Sequence, residues 1–74
     1  MNKDQINRQG FDAWADNKFV NAIEDYNHVI GTGDLKIEND ECCMKFFFTL
    51  ETISCVIRAY TPEGWQTYER EWKR

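Results

Sequence analysis

The sequence predicts a small α+β domain, an antiparallel meander with one face packed on a long N-terminal helix, in the order αβββα. Three observations predict it. Apolar residues recur at helical spacing across 11–30. Between Leu35 and Ala59 they alternate, which is the period of a strand. Polar breaks at Asn39-Asp40 and Glu51-Thr52 divide that alternating stretch into three. A chain of 74 residues reads as one domain, 1–74.

The helix is expected first. Phe11, Ala15, Phe19, Ala22, Ile23, Tyr26 and Ile30 make its apolar stripe, with Trp14 and Val29 at the edge. Asp16, Asn17, Asn21, Glu24 and His28 fall on the other side, and Gly31 and Gly33 supply the stop. Asp12 lies inside the stripe. Either it is tolerated there, or the helix starts at an Asp16 cap after a separate short helix.

Three strands follow, over 35–38, 42–50 and 53–60. A tight turn at Glu51-Thr52 sets Leu50 against Ile53, Phe48 against Cys55, Phe46 against Ile57 and Met44 against Ala59, all on one apolar face. A turn at Asn39-Asp40 adds Ile37 against Cys42 and Leu35 against Met44. That register sets Glu38 against Glu41, an unfavourable pair that favours a slightly longer loop. Phe46 and Phe48 therefore belong to the core. Phe47 points the other way, under the C-terminal segment or at an interface.

The tail, 61–74, is read as a short helix. Thr61-Pro62 suits an N-cap and first turn. Trp65, Tyr68 and Trp72 then fall at i, i+3 and i+7, while Lys73 and Arg74 close the last turn. A fourth strand paired with 53–60 is the rival, because Pro-Glu-Gly is also turn chemistry. The order αβββα is shared with double-stranded-RNA-binding domains, but Glu63 to Glu69 contains no Lys or Arg to meet phosphates, so only the order is shared.

Charge narrows the function. Residues 1–41 carry nine acids against four bases, and residues 42–74 four acids against five bases, for a net charge of −4. An acidic front half argues against direct nucleic-acid binding, which needs clustered Lys and Arg. No apolar run approaches the ~20 residues that span a bilayer, so no membrane partner is expected. Three cysteines and a polar opening segment fit reduced thiols in a cytoplasmic protein.

No catalytic, metal or cofactor set is expected. Cys42 and Cys43 are adjacent on a strand and point to opposite faces, so they do not converge on zinc. A Cys43–His28 pair, the starting point for a cysteine-dependent redox protein or enzyme, lacks a third group to orient the imidazole. The GTGD run at Gly31 to Asp34 follows a helix, whereas a phosphate loop precedes one.

The expected function is a small, acidic, non-enzymatic binding protein that acts on a protein partner with a basic surface. Glu24, Asp25, Asp34, Asp40 and Glu41 would supply carboxylates, and Phe47, Trp65, Tyr68 and Trp72 aromatic anchors. Small phage-type inhibitors of nucleic-acid-binding defence complexes, anti-CRISPR proteins among them, share this profile. The alternative is a homodimeric adaptor that associates through the second sheet face around Phe47 and Val56.

Overall fold

The structure is a computed structural model that describes residues 10–29 and 31–74. The described residues form one helix, α1 (Phe11–Tyr26), followed by β1 (Gly33–Glu38), β2 (Cys42–Phe48), β3 (Thr52–Thr61) and β4 (Gly64–Lys73). The strands form one antiparallel sheet in chain order, β1-β2-β3-β4. The α+β class therefore holds, and the last element is corrected. Residues 64–73 are a strand, not the expected helix.

The physical reason lies in two demands that the tail meets at once. β3 is ten residues long, and its outer edge needs backbone partners. β4 supplies them along its whole length, from Thr61↔Gly64 to Thr52↔Lys73. Thr61-Pro62, read as a helix start, serves a turn instead. The Thr61 hydroxyl accepts the Glu63 N–H at 3.2 Å and the Gln66 Nε2–H at 2.8 Å, and donates to the Gly64 carbonyl at 2.8 Å. Gly64 has φ 105°, a conformation that side-chain-bearing residues rarely adopt.

The other two hairpins close by the same device. Asn39 Oδ1 accepts the N–H groups of Glu41 and Cys42 at 2.8 and 3.0 Å. Thr49 Oγ1 accepts those of Glu51 and Thr52 at 3.2 and 2.9 Å. Each loop is thereby longer than the tight turn expected, and each register shifts by two. Phe48 opposes Ile53, Phe46 opposes Cys55 and Met44 opposes Ile57. Leu35 opposes Phe46, and Ile37 opposes Met44. Glu38 meets Cys43, so the Glu38–Glu41 clash is absent. Leu50, expected on the apolar face, lies in the loop at 83% exposure.

An even shift leaves every remaining side chain on its expected face. Phe46, Phe48, Ile53, Cys55, Ile57 and Ala59 are all buried beneath α1. α1 runs from Phe11 without a break, so the Asp16 start does not occur. Its first backbone bond, Trp14 N–H to the Gly10 carbonyl, is 3.1 Å. The helix is rolled so that Trp14, expected at the edge, is 2% exposed, while Asp12 faces solvent. That roll removes the conflict of a carboxylate within the stripe, and Asp12 instead sits in the first turn, where the helix dipole favours it. α1 ends four residues sooner than expected. Val29 is 77% exposed, and Ile30 lies outside the described residues.

Candidate functional site

One helix covers one face of the sheet. The alternation of each strand therefore sends the other half of its side chains to a face that no described element covers. The register sets these residues in rows across the strands. Asp34, Phe47, Ser54 and Glu71 form one row. Lys36, Lys45, Val56 and Glu69 form the next, and Glu38, Cys43, Arg58 and Thr67 a third. Tyr60 and Trp65, opposite each other, complete the end nearest the β1–β2 loop.

The aromatic residues at that end are ordered against one another. Tyr60 and Trp65 are edge to face with ring centroids 5.6 Å apart, and are 48% and 54% exposed. The Arg58 guanidinium stands over the Trp65 ring at 5.6 Å. Beside them a groove of about 590 Å³ opens toward the β1–β2 loop, with Lys36, Lys45, Arg58, Cys43, Val56 and Trp65 in its lining. Lys36 also contacts Glu38 at 3.4 Å.

The expected site residues separate in the fold. Phe47 and Trp65 are on the open face. Phe47 is half-buried and is not covered by the C-terminal segment. Tyr68 opposes Ile57, on the helix side, and belongs to the core at 8% exposure. Its hydroxyl donates to Asp16 Oδ1 at 2.6 Å. Trp72 opposes Ile53 at the rim of that same side, 38% exposed. The stripe of three aromatics is thus divided between the two faces, because i+3 changes face on a strand and i+4 does not.

The carboxylates do not converge either. Glu24 and Asp25 are exposed on α1. Asp34 lies near the start of β1, while Asp40 and Glu41 lie in the loop beyond its other end. Alternation in the sequence already puts Lys45 and Arg58 on the face with Phe47 and Val56, without marking them as binding residues. Tyr60 joins them by the same parity once β3 is known to extend through Thr61.

Burial sets the thiol chemistry. Cys42 and Cys55 are buried and Cys43 is half-buried on the open face. Burial pushes the Cys42 thiol above its ordinary value, and that of Cys55 up to about 11. Among the described residues no three His, Cys, Asp or Glu side chains gather as around a metal ion. No described helix is long and apolar enough to cross a membrane. No family model, curated protein or solved structure matches the chain.

Proposed function

We propose that this chain is a non-enzymatic binding protein that holds another protein against the open face of its sheet. The observation that carries the reading is a sheet face, covered by no described element, with two large aromatic side chains exposed, Trp65 and Tyr60, beside the half-buried Phe47 and Val56. Trp and Tyr are favoured as anchors because they bury much area for little lost side-chain freedom. Asp34 near the start of β1, and Asp40 and Glu41 in the β1–β2 loop, would each meet a separate Lys or Arg of the partner, whose basic surface they complement. A Lys/Arg-rich groove of a nucleic-acid-binding defence complex, the target of phage-type inhibitors, is one surface of this chemistry. Glu24 and Asp25 are on the opposite layer and are left out of the contact.

The test is capture from a lysate of the native host at low and high salt, with wild type, Trp65→Ala and Phe47→Asp. The expected result is a protein retained by wild type, lost with either substitution, and held less well in high salt. Retention that is indifferent to both substitutions would remove the open face from the function. The face also suits a second copy, since a single-layer sheet leaves apolar area around Phe47 and Val56 to bury. Sedimentation decides that reading. A wild-type dimer that Phe47→Asp turns into a monomer supports it, and a wild-type monomer rejects it.

A further inference from the structure

The groove at the β1–β2 loop end of the open face breaks a rule of strand pairing. Lys36 and Lys45 stand directly opposite each other across β1 and β2. Like charges so placed repel and weaken the pair. Arg58 opposes Cys43, the open-face neighbour of Lys45, which brings a third cation to the same lining. Lys36 is partly neutralised by Glu38 at 3.4 Å, whereas Lys45 has no carboxylate partner among the described residues. Arg58 stands over the Trp65 ring and pairs with no acid among the described residues. A local rule broken with only part of its cost offset inside the chain points to compensation from outside it.

We propose that this groove receives a carboxylate side chain of the protein partner, carried on a segment whose neighbouring aromatic or aliphatic residue packs on Trp65 and Val56. The inference rests on the reading of the open face as a protein-binding surface. The charge pattern selects the ligand class. Three cations, Lys36, Lys45 and Arg58, and two acids, Glu38 and Asp40, line the groove, so its lining carries a small excess of positive charge. Glu69 and Glu71 continue the rows across the face. A run of phosphates would pass over those carboxylates, so a nucleic-acid strand is opposed where one isolated anion is favoured. A guanidinium and a lysine lining one groove suit the two oxygens of a carboxylate, and the indole edge gives the adjoining apolar residue somewhere to bury.

The probes are three: the acetylated and amidated peptide Gly-Glu-Phe-Glu-Gly, its Gly-Gln-Phe-Gln-Gly counterpart, and an oligothymidylate. Each is titrated at low ionic strength into uniformly labelled full chain while backbone amide and indole resonances are followed. The Glu peptide should move Cys43, Lys45, Arg58 and the Trp65 indole saturably, with the Gln peptide at least about ten-fold weaker. Lys45→Glu should abolish the Glu-peptide response while the spectrum keeps its dispersion, and Lys45→Gln should weaken it. Equal responses to the two peptides, or an undiminished response in Lys45→Glu, would overturn the carboxylate assignment. So would a response to oligothymidylate in place of the peptide. Loss of partner capture in Trp65→Ala with no peptide response leaves the binding face standing and removes only this inference. Capture unaffected by Trp65→Ala and Phe47→Asp removes the function, whatever the peptides do.

Discussion

Two side chains near the C-terminal end of the sequence, Tyr68 and Arg74, fasten the layers together. Tyr68 on β4 reaches α1 through its 2.6 Å bond to Asp16, and Arg70 approaches the same carboxylate oxygen at 3.9 Å. Burial first, and then the bond to Asp16, push the Tyr68 hydroxyl from its ordinary 10 up to about 12. The folded chain therefore holds that proton more tightly than the unfolded chain. Its contribution to stability is complete below pH 10 and is lost as pH rises through about 12. Denaturation followed against pH should show this alkaline loss in wild type and a smaller one in Tyr68→Phe, which should cost about 1.5 kcal/mol at pH 7 for the bond to a charged acceptor. Arg74 fastens the other end. Its guanidinium donates to Asn27 Oδ1 at 2.9 Å, to the Asn27 carbonyl at 2.6 Å, and to the carbonyls of Gly31 and Thr49 at 2.6 and 2.8 Å. The last turn of α1 has no basic residue, so Arg74, just past the end of β4, brings the cation that a helix C-terminus favours. Urea denaturation should find Arg74→Ala less stable by about 2–3 kcal/mol, with Lys restoring less than half, because an ammonium cannot span those acceptors.

Among the elements, the hairpins show what alternation fixes and what loop chemistry fixes. The faces of β2 and β3 follow from sequence alone. The register does not, because a side-chain oxygen at the first loop position lengthens each turn, and such reach is invisible to a count of polar residues. Shifts of two keep the face, so Phe46 and Phe48 stayed buried while their partners changed. The Lys36–Lys45 pair carries a prediction at this scale. Lys45→Glu places an acid opposite Lys36 and diagonal to Arg58, and should raise stability by about 0.5 kcal/mol in urea denaturation. A stabilising change that removes binding is the signature expected of a functional residue. No stability gain would mean that the two lysines already avoid each other in solution.

At the scale of the fold, the two layers that the described residues form leave one face of the sheet uncovered by them. The helix side takes the core, with Phe46 at 2% exposure, so Phe46→Ala should cost about 3–5 kcal/mol by thermal or urea unfolding. Phe47→Ala, one residue along on the open face, should cost about 1 kcal/mol, since only part of its surface is removed from water. That contrast between neighbours checks the layering directly. The binding face was only partly legible beforehand. Phe47, Val56, Lys45 and Arg58 follow from parity, but Trp65 joins them only if 64–73 is a strand, and the same change takes Tyr68 into the core.

The sequence by itself determined the helix, the three middle strands and the side of the sheet on which each of their residues lies. Periodicity is a property of one element and needs no partner to be read. Only the tertiary structure decided the last strand, the two-residue shifts of register and the roll of α1 that buries Trp14. Each of these turns on competition between distant groups: an unpaired edge of β3 against a local helix signal, loop oxygens against tight turns, and Trp14 against Asp12 for one position beneath the helix. Local pattern records the preference of each competitor, and packing selects among them.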